Sequence, residues 1–374
     1  MRWSLRLLKV AGIGIYVHVT FLLLLIWAGW SGYGARHQWN DAAAGVGFIL
    51  ILFVIVVLHE LGHALTARRF GIETRDIILL PIGGVARLER MPEDPKQELA
   101  VALAGPAVNV LLAILFFIAI SLGATVSLHD VAFFSGNLLE NLLWINILLA
   151  LFNLLPAFPM DGGRVLRALL AIRINYARAT RIAARIGQGM ALVFGVLGLF
   201  YNPFLILIAA FVWIGAAQES SFVQMKSSLD GIRVHNVMIT DFRTLAPDDT
   251  LSRAVELLLG SYQQDFPVVS GGRLVGLLTR TGLVNGLART GSNLLVSEAM
   301  EKEFPVVHPN DPAEGLFLRL QGSPFRSMPV VENGNLLGII TSENVGEFLM
   351  VRGAMHDESP GQNAKFRMTE RHAT

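Results

Sequence analysis

Between residues 51 and 70 the chain reads ILFVIVVLHELGHALTARRF, an apolar run leading straight into His59-Glu60-Leu61-Gly62-His63. In a helix, residues four apart share a face with their β-carbons about 5–6 Å apart, so His59 and His63 can offer two nitrogens to one zinc ion. Glu60 lies one position round, where its carboxylate can take a proton from a water that such a metal acidifies towards a pKa of about 7. A polarising metal, a water and a base are the requirements of peptide-bond hydrolysis. The alternative is chance polar residues on a buried helix. Each ionisable group inside a membrane helix costs a few kcal/mol unless compensated, and a metal compensates all three.

A catalytic zinc site needs a third protein ligand and an open position. The chain has no cysteine, which leaves His, Asp and Glu. The carboxylate at comparable depth is Asp161, in the stretch FNLLPAFPMDGGR over 152–164. Pro156 and Pro159 break a helix there and Gly162-Gly163 lets the chain bend, so Asp161 can turn inwards. Irregular backbone at membrane depth is tolerated only when buried in protein or lining a wet cavity. The competing reading makes Asp161 the N-cap of a following amphipathic helix. His18 has no companion at ligand spacing and reads as an interfacial or packing residue.

These residues sit in a chain of 374 residues that is 53% hydrophobic and only 16% charged, too apolar for an ordinary soluble enzyme. The expected architecture is a polytopic α-helical membrane protein with about six transmembrane helices, near 16–30, 42–67, 99–122, 137–157, 186–201 and 203–219. The first helix is expected to be retained rather than cleaved as a signal peptide. Basic residues cluster before it (Arg2, Arg6, Lys9), after the second (from Arg68 to Lys96) and after the fourth (from Arg164 to Arg185), while the alternate loops hold only Arg36. By the positive-inside rule both termini are cytoplasmic. His59 then lies about 13 Å from the cytoplasmic end of its helix at the usual rise per residue.

Beyond residue 219 the composition becomes that of a soluble α/β module, joined by a linker over 220–231, and an internal repeat appears. Val237-Met238 matches Ala299-Met300, Pro267-Val268-Val269 matches Pro329-Val330-Val331, and Gly276 to Thr279 matches Gly338 to Thr341, all at an offset of 62. Each unit reads as a helix, a short strand at Pro-Val-Val, a turn and a second strand before another helix. The units cover 232–291 and 292–352, and the tail over 353–374 has a disordered composition.

HELGH in one membrane helix, Ala104-Gly105-Pro106-Ala107-Val108-Asn109 in the next and Asn-Leu-Leu-Pro followed by Asp-Gly-Gly in a third resemble the site-2 protease family of intramembrane zinc metalloproteases. The repeat resembles a tandem pair of CBS domains, as in the branch that includes sporulation pro-sigma-factor processing proteases and archaeal relatives. The resemblance implies one Zn2+ held by His59, His63 and Asp161, with Glu60 as general base. It also implies a role near the active site for Asn153, whose amide can hold an oxyanion or the substrate backbone. Gly105 and Asn109 read as close helix packing and an interhelical hydrogen bond. The implied substrate is a single-pass or membrane-associated regulatory protein of the anti-sigma or pro-sigma type, cleaved at the cell membrane. The bilayer is the other partner, and no nucleic acid is expected.

The segment Leu79 to Ala86, LLPIGGVA, is too apolar for a free loop and too short to span; it reads as a re-entrant hairpin, and the family carries a similar element. An exposed strand edge at Pro81, Gly83 and Gly84 could take up an unwound substrate by strand addition. A structural turn packed on the core is the equal alternative. CBS pairs commonly bind adenine nucleotides, with an Asp three residues after the Thr that ends the second strand. Here Thr279 is followed by Arg280-Thr281-Gly282 and Thr341 by Ser342-Glu343-Asn344, and neither unit has that Asp. Thr279, Arg280 and Thr341 could still meet a phosphate or sugar, and a structural or homodimerising pair is an equal reading.

Two other functions compete with an intramembrane endopeptidase. Ionisable residues in membrane helices also mark ion paths, which fits a CBS-regulated transporter or channel; the third reading is a catalytically inactive zinc-containing binding protein. Glu60 separates them, because neither alternative needs a general base beside a metal pair.

Overall fold

The computed structural model describes residues 4–81, 83–89, 91–126, 137–323 and 325–357. It divides into two units, 1–223 and 224–374.

The first unit opens with a hairpin of β1 (Ser4–Val10) and β2 (Ile13–His18). Its two turn residues, Ala11 and Gly12, both have positive φ (50° and 92°), the conformation that matches the twist of a tight hairpin. The first helix was expected from about residue 16. It starts instead at Thr20, because the alternating run up to His18 is strand; His18 Nδ1 pairs with Thr20 Oγ1 at 2.8 Å. The helices α1 (Thr20–Arg36) and α2 (Trp39–Arg69) then lead to β3 (Thr74–Leu80) and β4 (Gly83–Leu88). The sheet order is β1-β2-β3-β4, with β2 and β3 parallel and the outer pairs antiparallel. The hairpin read in 79–86 is thus the β3–β4 pair, Leu79 facing Gly84 and Leu80 facing Gly83; Ile82 lies outside the described residues.

Next come α3 (Pro95–Ser121), α4 (Leu138–Asn153), α5 (Asp161–Ala171), α6 (Tyr176–Phe200) and α7 (Phe204–Ser228). Among the described residues four helices, α2, α3, α6 and α7, are long and apolar enough to cross a membrane, while α1 and α4 are shorter apolar helices. The apolar stretch expected to run to 157 is helical only to Asn153, ahead of Pro156. Asp161 is not the N-cap of α5: Met160 occupies the cap and Asp161 is the first helical residue. α7 continues through the expected linker as far as Ser228.

The unit is inverted relative to a water-soluble core. Large apolar side chains such as Leu111, Phe117, Leu148 and Leu207 face outwards, whereas His59, Asn109, Asn146, Asp161, Glu98 and Arg167 are buried. Hydrocarbon outside and polar groups satisfied inside is the arrangement a bilayer imposes. With the six apolar helices, it makes the protein a multi-pass membrane protein.

The second unit contains α8 (Leu251–Gly260), β5 (Phe266–Ser270), β6 (Arg273–Leu278), α9 (Arg280–Thr290) and α10 (Val296–Ala299), then α11 (Ala313–Gly322), β7 (Ser327–Glu332), β8 (Asn335–Thr341) and α12 (Ser342–Asp357). Its sheet runs β5-β6-β8-β7. The repeat is visible in three dimensions as exchanged pairings: Ile239 bridges Ile339 and Leu277 bridges Glu301, the same bond made in both directions between the two halves. α12 extends into the expected tail, and 358–374 lie outside the described residues.

Candidate metal centre

His59 and His63 project from the same face of α2, and α5 brings Asp161 against them. The three donor atoms form a near-equilateral triangle: His59 Nε2 to His63 Nε2 is 3.1 Å, and Asp161 Oδ2 lies 3.2 Å and 3.1 Å from them. All three side chains are buried.

The hydrogen bonds behind the imidazoles fix what the triangle presents. Asn146 Nδ2 donates to the Leu142 carbonyl at 2.8 Å, so its Oδ1 accepts from Asn109 Nδ2 at 3.0 Å. That leaves Asn109 Oδ1 as the acceptor for His59 Nδ1–H. His63 Nδ1 donates to the Val101 carbonyl at 2.7 Å. When both rings are neutral their protons are therefore on Nδ1, and both Nε2 lone pairs point at each other and at a carboxylate. Three converging lone pairs repel unless a cation lies among them. The triangle is small enough for all three to reach one ion at the usual zinc distances of about 2.0–2.2 Å.

The neighbouring backbone leaves room for that ion. A Cβ built on Gly105 of α3 would sit 2.1 Å from His63 Nε2 and 2.7 Å from His59 Nε2. The close approach expected of Gly105 is thus to the imidazole nitrogens themselves. Around the turn into α5, a Cβ on Gly162 would lie 2.2 Å from the Leu155 carbonyl oxygen, so the glycine lets the first turn of α5 settle on the preceding loop with Asp161 facing α2.

A cavity of about 470 Å³ opens over the triangle, lined by Glu60, Gly83, Gly84, Ala86, Asn153 and Arg164 among others. Asn153, the last residue of α4, thus shares this cavity with Asp161, and both hairpin glycines line it; Pro81, at the exposed turn, is not among the lining residues. Arg164, noted in the sequence only as a basic residue, places Nη1 4.0 Å from Asp161 Oδ1. Outside the helices, Arg87 forks onto Asp76 across β3 and β4, and that hydrogen-bonded carboxylate holds its guanidinium above the usual arginine range.

Two polar networks behind the site were not read from the sequence. One is the Asn109–Asn146 relay. The other centres on Arg167, counted above as a loop cation but 1% exposed in α5: it pairs with Glu98 of α3 and Glu219 of α7, and stacks on Phe158 and Tyr176 with centroid distances of 5.0 and 4.9 Å.

In the second unit, Thr279 and Arg280 line a cavity of about 280 Å³ and Thr341 lines another of about 620 Å³, with Asp265 and Arg326 bordering both. Both threonine hydroxyls also accept backbone N–H bonds, from Gly282 at 3.0 Å and Asn344 at 3.1 Å. The recurrence of Thr in the repeat thus has a helix-capping reason whether or not a ligand binds.

A buried His-His-Asp triangle with a glutamate beside it, set in an apolar-faced bundle, defines a membrane-embedded metallohydrolase. The model of peptidase family M50 matches residues 47–137 and 121–194, and the CBS domain model matches 234–289 and 296–350. Zinc metalloprotease MJ0392 of Methanocaldococcus jannaschii is 37% identical over 92% of this chain and 96% of its own length. Stage IV sporulation protein FB of Bacillus subtilis is 33% identical over 41% of this chain and 51% of its own. The solved structure of the site-2 protease from Methanocaldococcus jannaschii is 40% identical, covering 58% of this chain and 95% of that one with a TM-score of 0.45. The chain belongs to the site-2 protease family, peptidase family M50, and carries a CBS pair. It is a zinc metalloprotease.

Proposed function

We propose that the protein is an intramembrane endopeptidase that hydrolyses a peptide bond in or near the transmembrane segment of a single-pass or membrane-associated regulatory protein, of the anti-sigma or pro-sigma type, in the cell membrane. The observation that carries this reading is the donor triangle and Glu60 sharing one cavity inside an apolar-faced bundle. His59, His63 and Asp161 hold the metal, which when bound polarises the scissile carbonyl and acidifies water. Glu60 accepts the proton from the attacking water and can return it to the leaving amine. Asn153, which lines the same cavity, donates its amide N–H to the carbonyl oxygen as negative charge develops there.

A transmembrane substrate hides its peptide bonds in its own helix, so it must unwind to be cut. The outer edge of β4, re-entrant at the level of the cavity, offers backbone partners to the unwound segment by strand addition. The basic loops support a cytoplasmic position for both termini and the CBS pair, and an accessible pair is also where a homodimer would form. Titrating ATP and AMP into the full chain separates nucleotide regulation from a purely structural pair; heat of binding at millimolar ligand supports the first, and silence the second.

The test is a quantitative membrane proteome of cells expressing wild type against Glu60→Gln. A single-pass protein that accumulates only with the variant identifies the substrate. Zinc content is measured alongside: the reading requires Glu60→Gln to keep zinc and Asp161→Ala to lose it, and equal zinc in Asp161→Ala and wild type would remove the ligand assignment.

A further inference from the structure

We propose that the backbone amide of Ala86 is a positioning group for Glu60, tying the catalytic carboxylate to the strand edge that receives substrate. The inference rests on the reading of Glu60 as general base and of β4 as the pairing edge.

Ala86 N–H donates to Glu60 Oε2 at 3.1 Å, across 26 positions of sequence. In an antiparallel ladder the N–H and C=O of one residue point to the same side, and the sides alternate along the strand. Since the Ala86 amide leaves β3 for Glu60, Ala86 and Gly84 turn their backbone groups outwards, while Val85 between them faces β3. β4 is the last strand of the sheet, so among the described residues no further strand pairs with that outer side.

The strand also touches the stem of the glutamate. A Cβ on Gly84 would lie 2.9 Å from Glu60 Cγ and 2.8 Å from Val56 Cγ1, so β4 lies directly on the stretch of α2 that carries the base. Glu60 is held twice, along its methylenes by Gly84 and at one carboxylate oxygen by Ala86. The terminal torsion of a glutamate is broad when nothing holds it. An N–H on one oxygen fixes the carboxylate plane and leaves the second oxygen for proton transfer, which is the orientation a general base needs.

The same bond sets where pairing can occur. An added substrate strand can use the outward groups of Gly84, but the next outward N–H, that of Ala86, is already taken. The substrate backbone therefore meets the Glu60 carboxylate at the point where the edge stops offering a donor. The strand that seats the substrate is therefore also the strand that holds the base, with Ala86 as the link although its side chain does no chemistry.

The test uses the full-length chain in detergent. Residue-resolved hydrogen exchange is measured on wild type, Glu60→Gln and Glu60→Ala, with zinc content as a control. The expected result is an Ala86 amide protected in wild type and Glu60→Gln, exchanging at least about tenfold faster in Glu60→Ala, with the ladder-bonded Val85 amide unchanged. In parallel, Ala86→Pro removes the N–H at an outward-facing edge position that tolerates proline, and Ala86→Ser keeps it. Ala86→Pro should lower kcat on a transmembrane peptide about tenfold or more with KM within about twofold, and Ala86→Ser should behave as wild type. An Ala86 amide that exchanges equally fast in wild type and Glu60→Ala overturns the proposal, as does full kcat in zinc-loaded Ala86→Pro. If Ala86→Pro fails to fold, the exchange result decides alone. An active Glu60→Gln would instead overturn the general-base reading, so the two failures are distinguishable.

Discussion

Arg167 donates its Nε to a carboxylate oxygen of Glu98 at 2.7 Å, and both side chains are only 1% exposed. The pair joins α5, which begins with Asp161, to α3, whose Val101 carbonyl, Gly105 and Asn109 stand behind and over the imidazoles. The third candidate ligand is thus fastened to the same helix that fixes the first two.

Removing one partner of a buried ion pair strands the other charge. Glu98→Leu is expected to destabilise the protein by about 3–5 kcal/mol, with Arg167 left to Glu219 alone. The double variant Glu98→Leu, Arg167→Leu should cost less than the sum of the two single changes. Denaturant unfolding in detergent measures all three; strict additivity would show that the pair is not coupled.

Asn109→Leu takes away the acceptor that holds the His59 ring and its tautomer. Loss of such a partner behind a metal-binding histidine lowers affinity by about 10–100-fold, so zinc competition titrations should show that drop while helix content by circular dichroism stays at the wild-type value. Asn146→Leu, one step further along the relay, should give a smaller loss in the same direction.

Gly105→Ala adds one methyl against the Nε2 atoms of His59 and His63, the candidate metal ligands. The expected outcome is a folded protein with zinc content close to zero. Bulk helix packing alone would predict something different: lower stability with zinc retained in whatever fraction remains folded.

In the CBS pair, the buried Asp265 accepts from Arg280 N in one half and from Arg326 N, Ser327 N and Ser327 Oγ in the other. Asp265→Ala leaves several buried donors unpaired, each worth about 1–3 kcal/mol. Faster hydrogen exchange at β7 and at the start of α9 in the full chain is the expected readout, with the exchange of α2 and α3 unchanged.

Much of the site was legible because its signals are local. His59, Glu60 and His63 lie within one turn of one helix, and Asp161 announces itself by the prolines and glycines around it. The CBS repeat was readable from a constant offset. The polar residues behind the site were not, because their partners are remote: Asn146 is one amide in the apolar run of α4, and Arg167 looks like any other cation after a membrane segment until α3 and α7 bring carboxylates to it. The hairpin of β1 and β2 was hidden for another reason. Its alternation is short, and the Arg and Lys flanking an apolar run suggest a membrane helix start more strongly than Leu-Arg-Leu suggests a strand. The role of Gly105 likewise depends on a helix crossing that no spacing encodes.

His63 and Asp161 are 98 positions apart, with α3 and α4 between them. During synthesis the two imidazoles are laid down early and the carboxylate late, after both intervening helices have emerged. A nascent or truncated chain that stops short of α5 therefore has only two of the three candidate ligands, and its own neighbours in the membrane are safe from it until the bundle is complete.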